Sequence, residues 1–230
     1  MITSGPSGAD GPHLIVDSVD QPVANDDDRH HFERVLRLAP GASITVGDGV
    51  GAWRTCRWGD SIEIVGELHH VPAPNPRLGV AFALIKGGRP ELVVQKLVEL
   101  GVNDIRPFRA ERSVVRWDDA KAQKNHTRLQ KVAREATMQC RRAWLPDVHP
   151  IADFADVASL EGSARADMGG GPIEAATRTV LVGPEGGWTE AERAVDLPVV
   201  RLSSAVLRAE TAAIAAGVLL TAQREVVGSG

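Results

Sequence analysis

The most informative short motif is a glycine-rich turn between an apolar run and a polar segment. It reads Leu181-Val-Gly-Pro-Glu-Gly-Gly-Trp-Thr189. Glycines at the carboxyl end of a parallel strand let a ligand approach the backbone, and open α/β sheets bind ligands at that edge. The same residues also fit a tight strand-to-helix turn with Thr189 as N-cap and Glu192 as its capping-box partner. No Lys follows the glycines and the G-x-G-x-x-G spacing is missing, which excludes a Walker loop and a dinucleotide fingerprint.

A second candidate loop lies nearer the C-terminus and reads Leu202-Ser-Ser-Ala-Val-Leu-Arg-Ala-Glu-Thr-Ala-Ala213. A strand is predicted to end near Leu202, and a helix rich in small residues is predicted to begin near Glu210. Arg208 and Glu210 are the residues of this junction that could take part in chemistry. Taken alone, the segment fits an ordinary loop and helix cap equally well, with Arg208 and Glu210 as a surface ion pair.

The charges are unevenly distributed along the chain. The net charge is −4, but residues 86–145 hold 14 basic and seven acidic residues, a local charge of +7. This excess suggests a surface for a polyanion such as RNA, although charge alone favours a solvated helix face. Arg141 and Arg142 could also cap the end of a helix. The candidate phosphate contacts are Arg109, Arg112, Arg128, Lys131, Arg141 and Arg142.

Several other classes of protein and site are disfavoured. Cys56 and Cys140 cannot form a disulfide framework or a four-cysteine zinc site, and His30 and His31 have no partners at metal-ligand spacing. We therefore expect no metal. No apolar run approaches the ~20 residues of a membrane span, and the N-terminus does not resemble a signal peptide. These features predict a cytoplasmic protein that does not associate with membranes.

The elements that must position these motifs change in character along the chain. Residues 1–12, rich in Gly, Ser and Pro, predict a disordered N-terminus. Short strand-like segments over residues 13–70, with one helix among them, predict a small β-barrel. Alternate prolines predict a linker over residues 71–77. Alternating strands and helices over residues 78–228 predict an α/β domain with a mainly parallel sheet, in which residues 161–178 form a flexible surface loop.

Seven motifs together resemble one known family. In chain order they are His30-His-Phe-Glu-Arg-Val-Leu-Arg37, Gly47-Asp-Gly-Val-Gly51, Gln95-Lys-Leu-Val-Glu-Leu-Gly-Val102, Glu111-Arg-Ser-Val114, Glu135-Ala-Thr-Met-Gln-Cys-Arg141, Gly183-Pro-Glu-Gly-Gly187 and Leu207-Arg-Ala-Glu-Thr-Ala212. They resemble the bacterial 16S ribosomal RNA (uracil-N3)-methyltransferases, the RsmE family of the SPOUT superfamily. The last two motifs, in this order near the C-terminus, are the most specific.

The resemblance implies a fold, a cofactor and partners. The expected fold is an N-terminal PUA-like β-barrel that binds RNA, followed by a SPOUT α/β domain with a trefoil knot. The expected partners are a second copy of the chain and 16S ribosomal RNA in the small ribosomal subunit. S-adenosylmethionine is expected between the two candidate loops. Its expected contacts are Leu181, Val182, Gly183, Pro184, Glu185, Gly186, Gly187, Leu202, Ser203, Leu207 and Thr211.

The resemblance also implies catalytic roles and leaves alternatives open. Arg208 would stabilise negative charge on the uracil carbonyls, and Glu210 would accept the N3 proton, or would only pair with Arg208 or cap a helix. Ser203 stands where the family more often has glycine, and residues 1–70 have a net charge of −6. The substitution at Ser203 and Ser204 keeps open the alternative of a non-catalytic RNA-binding or ribosome-assembly protein on the same fold, and the acidic charge leaves the role of the barrel open. A SPOUT methyltransferase that acts on another RNA remains a further alternative.

Overall fold

The computed structural model describes residues 5–228, with only the backbone described for residues 225–228. The chain forms two compact units, and the boundary between Ala73 and Pro74 falls within the segment predicted as a linker. The sequence did not predict that a later segment returns to the first unit. The described residues are 5–73 with 134–145 in the first unit, and 74–133 with 146–228 in the second.

A five-stranded sheet forms the first unit. Its strands are β1 (His13–Ile15), β2 (Ser43–Gly47), β3 (Ala52–Arg57), β4 (Glu63–Ile64) and β5 (His69–His70). β1 pairs with β2 in parallel, whereas β3 is antiparallel to β2, β4 and β5. Between β1 and β2, helix α1 (Asp26–His30) continues into a π-helical turn, His31–Val35. Asn25 caps this helix by accepting the Asp28 N–H at 2.8 Å.

The start of the described chain is ordered, whereas the sequence predicted disorder over residues 1–12. Gly8–Asp10 forms a 3-10 helix. The Ser7 hydroxyl accepts the Ala9 N–H at 3.0 Å, and the Asp10 carboxylate accepts the Ser7 N–H at 3.1 Å. Residues 1–4 lie outside the described residues.

The second unit has a parallel sheet with helices around it, as predicted. Its strands are β6 (Gly79–Ala83), β7 (Asp104–Arg109), β8 (Asp147–Val148), β9 (Ala152–Asp153), β10 (Ser163–Gly171), β11 (Thr179–Val182) and β12 (Val199–Val200). The strand order is β12-β10-β11-β6-β7-β8, and β9 also pairs with β7. This order is consistent with the knot that the family resemblance implies. β6 and β11 are buried throughout, which explains their continuous apolar sequences.

Five helices accompany the second sheet along the chain. They are α2 (Arg89–Glu99), α3 (Asp119–Cys140), α4 (Phe154–Ala158), α5 (Glu190–Ala194) and α6 (Ala209–Gly228). The sequence predicts helices over Glu91–Leu100, Asp118 to about Arg142, Thr189–Asp196 and Glu210–Val226. The helices α2, α3, α5 and α6 match these to within a few residues, but the short α4 was not predicted. In the described part of the chain, no helix has both the length and the apolar character needed to cross a membrane.

The last turns of α3 belong to the first unit because they complete a buried ion pair there. The Asp28 side chain is almost fully buried, and its two carboxylate oxygens accept hydrogen bonds from the Arg134 guanidinium at 2.8 Å and 2.7 Å. The Arg134 guanidinium also donates to the Ile15 carbonyl oxygen at 2.6 Å. A buried carboxylate without a partner is strongly destabilising, so this contact ties residues 134–145 to the first unit.

The clearest wrong prediction concerns residues 161–178. They were expected to form a surface loop, but β10 occupies half of the segment and pairs with both β11 and β12. An arginine and three consecutive glycines made the sequence look like a loop. Arg165 is nevertheless buried, because its guanidinium donates to the backbone carbonyl of Glu192 at 2.7 Å.

Candidate active site

A cavity of about 380 Å³ in the second unit lies between the Gly183–Gly187 turn and the loop that begins at Leu202. Its walls come from the middle of β10, the turn after β11 and the loop between β12 and α6. The lining residues are Ala166, Asp167, Met168, Val182, Gly183, Pro184, Glu185, Gly187, Trp188, Arg193, Leu202, Ser203, Ala205, Val206, Leu207, Arg208, Ala209 and Ala212. The family resemblance implied that the second and third of these walls would meet.

The turn after β11 is both a helix cap and a cavity wall. The Thr189 hydroxyl accepts the Glu192 N–H at 3.2 Å, and the Glu192 carboxylate accepts the Thr189 N–H at 2.8 Å. This confirms the capping box. Gly187 has a φ of +71°, a conformation that glycine adopts without strain. A Cβ atom on Gly183 would lie 2.9 Å from the Trp188 ring, so only glycine fits there without movement.

Trp188 joins this turn to β10 and was not predicted as a site residue. Its side chain is buried, and its indole N–H donates to the Ala166 carbonyl oxygen at 2.9 Å. The indole also stacks on Phe108, with ring centroids 6.2 Å apart. The sequence could not indicate this role, because residues 163–171 were interpreted as a loop rather than as the neighbouring strand.

Arg112 supports the same turn from outside the cavity. Its guanidinium donates to the carbonyl oxygens of Gly186 and Trp188, each at 3.3 Å. A Cβ atom on Gly186 would lie 3.1 Å from the Cβ of Arg112, so Gly186 faces this arginine and does not line the cavity. The geometry gives Arg112, predicted as an RNA contact, a role in holding the turn.

The two residues predicted to be catalytic occupy different environments. Arg208 lines the cavity and is exposed, and within the described residues its side chain forms no hydrogen bond or ion pair. Glu210 does not line the cavity. Its carboxylate lies 3.6 Å from Arg89, which in turn lies 3.6 Å from Glu185. The predicted Arg208–Glu210 pair is thus replaced by an Arg89 bridge between the two loops, because Arg89 at the start of α2 reaches both carboxylates.

Eight of the predicted cofactor contacts line the cavity and three do not. Those that line it are Val182, Gly183, Pro184, Glu185, Gly187, Leu202, Ser203 and Leu207, and those that do not are Leu181, Gly186 and Thr211. Leu181 is fully buried within β11. Besides Trp188, the sequence missed Asp167 and Arg193, which form an ion pair at the cavity wall. Their separation along the chain gave no signal for this contact.

The predicted RNA contacts are divided between the two units. Arg109 contacts Asp153 at 3.5 Å and Arg128 contacts Glu91 at 3.0 Å, both in the second unit. Lys131 is an exposed residue of the part of α3 that belongs to the same unit. Arg141 and Arg142 belong to the first unit, where Arg141 donates to the Gly11 carbonyl oxygen at 3.1 Å.

A cluster of Asp104, Asp147 and His149 has the ligand types of a metal site. Arg77 contacts both carboxylates, Asp104 at 3.1 Å and Asp147 at 2.5 Å, so their charge is already compensated. Burial raises the pKa of Asp104, but hydrogen bonds from His149 and Arg77 outweigh it and bring the pKa to about 2. The cluster is a salt-bridge network at the start of β7 and β8.

Family models and sequence relatives agree with this architecture. A model described as an RNA methyltransferase domain matches residues 72–221, and one described as an RNA methyltransferase PUA domain matches residues 24–57. Ribosomal RNA small subunit methyltransferase E of Mycobacterium bovis is 31% identical over 222 residues, covering 84% of this chain and 83% of the relative. The protein of the same name from Bacillus subtilis is 29% identical over 229 residues, with coverage of 86% and 88%.

A solved structure extends the agreement to three dimensions. It is the ribosomal RNA small subunit methyltransferase E of Neisseria gonorrhoeae bound to S-adenosyl methionine. The TM-score is 0.77 at 26% identity, with 92% of this chain and 97% of that chain covered. Together with the PUA match, this likeness confirms the predicted combination of a PUA-like unit and a SPOUT-type α/β unit.

Proposed function

The chain belongs to the ribosomal RNA small subunit methyltransferase E family, and from this premise we propose that it methylates N3 of a uracil in 16S ribosomal RNA. Its cofactor is S-adenosylmethionine. The observation that carries the proposal is the cavity between the Gly183–Gly187 turn and the Leu202–Ala212 loop. The last two of the seven motifs that carry the family resemblance meet there, and the relative from Neisseria gonorrhoeae binds the same cofactor.

The residues of the cavity fit S-adenosylmethionine. Val182, Trp188 and Leu207 supply apolar wall, and the glycines leave the backbone of the turn accessible. The Asp167–Arg193 pair offers an acceptor and a donor side by side, which suits the amino and carboxylate groups of the cofactor. When bound, S-adenosylmethionine supplies an electrophilic methyl group on a positively charged sulfur.

Arg208 is the chain's best-placed group for the chemistry of the acceptor base. For methylation at N3 the uracil loses its N3 proton to solvent water, which leaves negative charge on the uracil carbonyl oxygens until N3 bonds to the methyl group. A guanidinium at the cavity wall with no competing partner among the described residues would stabilise that charge. Holding the uracil in line with the methyl donor would supply much of the remaining rate enhancement.

Glu210 has a different role in this proposal from the one expected from the sequence. Its carboxylate is mostly buried and contacts Arg89, and the residue is absent from the cavity wall. We assign it to holding the start of α6 against α2, so that Arg208, two residues earlier, keeps its place. The predicted role of Glu210 as the proton acceptor is not supported by this arrangement.

Isothermal titration calorimetry with S-adenosylmethionine tests the proposal directly. We expect the titration to show one binding site for S-adenosylmethionine per chain. In a separate assay, we expect the chain with bound cofactor to transfer a methyl group to isolated small ribosomal subunits. A non-catalytic ribosome-assembly protein would bind RNA without the cofactor, so absence of cofactor binding would overturn the proposal. The serine that raised this alternative fits the loop, since the Ser203 hydroxyl accepts the Ala205 N–H at 3.1 Å.

We also propose that the chain acts as a homodimer in the cytoplasm, with the small ribosomal subunit as substrate. Val206 is 85% exposed, and Val218 and Leu219 on α6 are 44% and 40% exposed. Apolar side chains concentrated on one loop and one helix are typical of a contact surface. Light scattering at low micromolar concentration should give twice the 24.5 kDa chain mass, and a particle of 24.5 kDa would contradict the dimer.

A further inference from the structure

A second cavity of about 240 Å³ lies in the same unit and shares no lining residue with the first. It is bounded by the segment that follows β6, the first turn of α2, the segment before α3 and one face of α3. We call it the Trp117 pocket, after the aromatic side chain in its wall. Neither the family resemblance nor the proposed chemistry assigns it a role.

The interior of the pocket combines an aromatic side chain with an apolar base. Trp117 is half-buried, whereas Ile85, Pro90 and Leu129 are buried beneath the opening. Flat nucleobases bind to proteins by stacking on aromatic rings and apolar surface, particularly in single-stranded RNA. The shape and composition of this interior therefore suit an unpaired base.

The polar group inside the pocket is a carboxylate with one unused oxygen. Glu91 Oε1 lies 3.0 Å from Arg128, but Oε2 is buried and has no hydrogen-bond partner in the described chain. A buried acceptor of this kind is costly unless a ligand donates to it. Guanine presents N1–H and N2–H side by side, which matches a carboxylate. Uracil presents a single N–H between two carbonyl oxygens, which a carboxylate would repel.

Cations surround the opening. Lys86, Lys121 and Arg128 line it and are exposed, and neither lysine has an ion-pair partner among the side chains of residues 5–224. Three cations around one carboxylate leave the entrance positive, which suits the phosphate groups on either side of a nucleotide. The pocket thus has separate features for a base and for its backbone.

The pocket also adjoins the wall of the first cavity. Arg89 contacts Glu185 of that wall, and the next two residues, Pro90 and Glu91, line the Trp117 pocket. We propose that the Trp117 pocket binds an unpaired guanine of the RNA substrate, near the uracil that is methylated. This inference rests on the proposed function, because it takes RNA as the source of the nucleotide.

Fluorescence anisotropy with labelled five-nucleotide RNAs tests the inference on the full chain. UUGUU should bind about 10-fold or more tightly than UUUUU, UUAUU and UUCUU, the factor expected for a hydrogen bond to a charged group. Glu91→Gln should abolish this preference. Glu99→Gln, on the same helix but paired with Lys96 outside the pocket, should preserve it. Trp117→Phe should remove any quenching of tryptophan emission by UUGUU.

The outcomes separate this inference from the proposed function. Equal binding of all four RNAs, tightest binding of UUUUU, or guanine preference that survives Glu91→Gln would each overturn the guanine assignment. Binding of guanosine monophosphate without preference for UUGUU would overturn it in favour of a free nucleotide. Cofactor titration on the same preparations reports on the methyltransferase assignment, so normal S-adenosylmethionine binding with no guanine preference refutes only the inference about the Trp117 pocket.

Discussion

Replacing Arg208 by alanine should separate chemistry from folding and from cofactor binding. The side chain is exposed and makes no hydrogen bond or ion pair in the described structure, so its loss removes no contact that stabilises the native state. The free energy of unfolding should therefore change by less than about 0.5 kcal/mol. Loss of one preorganised donor at the reacting group should lower the methylation rate by about 10²–10³-fold, or roughly 2.7–4 kcal/mol in the activation free energy.

Single-turnover methylation of small ribosomal subunits at saturating RNA measures the chemical step for Arg208→Ala. Calorimetry with S-adenosylmethionine, performed in parallel, should give a dissociation constant close to that of the parent. Arg208→Lys is the matched variant, because it keeps the charge but loses the planar fork of donors. Its methylation rate should lie between those of the parent protein and Arg208→Ala. An unaltered single-turnover rate would refute the role of Arg208 in catalysis. A higher KM for RNA with kcat intact would instead assign Arg208 to a phosphate.

Three further predictions concern the turn, the basic surface and a buried histidine. Gly183→Ala should weaken S-adenosylmethionine binding at least about 10-fold in calorimetry, because its Cβ would displace Trp188, whereas Gly169→Ala, with nothing within 4 Å, should not. Arg109→Ala and Lys131→Ala should each lower the dependence of the RNA-binding constant on salt concentration by about one unit of logarithmic slope. Arg112→Ala should mainly weaken cofactor binding, because this side chain holds the turn. An unchanged slope would assign Arg109 and Lys131 to a solvated surface. Burial, aided by the charge of Arg141, lowers the pKa of His13 to about 4. The unfolded chain thus binds a proton that the native state does not, so the thermal unfolding temperature should fall as the pH drops from about 6.5 towards 4. His13→Gln should weaken that dependence, and an identical pH profile would contradict it.

The sequence predicted those parts of the fold that depend on neighbouring residues. The sequence predicts strands over Ser43–Gly47 and Thr179–Val182, which are the bounds of β2 and β11. The Thr189–Glu192 cap was also correct, because apolar runs and caps are local signals. The role of β10 was missed because Arg165 finds its acceptor on residue 192. A local pattern of arginine and glycine cannot show that a distant carbonyl will satisfy the guanidinium.

At the candidate site, too, local features were predicted and contacts between distant residues were not. Both loops were identified from their motifs, yet the partner of Glu210 is Arg89, which is far away along the chain. The interpretation that Arg208 is the ion-pair partner of Glu210 considered only residues that are adjacent in the sequence. Likewise, the cavity wall formed by β10, residues 166–168, depends on the order of strands in the sheet, which no short motif encodes.

The ion pair between Asp28 and Arg134 bears on how this chain is made. Its two members are separated by 106 residues, and the Trp144 indole, which donates to the Val71 carbonyl oxygen at 2.9 Å, is synthesised later still. As the nascent chain leaves the ribosome, residues 5–73 therefore emerge without the guanidinium that neutralises Asp28 and without the indole that donates to Val71. Vectorial folding of the first unit must wait for residue 145, by which time much of the second unit has already been translated. A fragment ending at residue 73 would retain this defect permanently, so a split of the gene at the apparent boundary would not yield two self-sufficient halves.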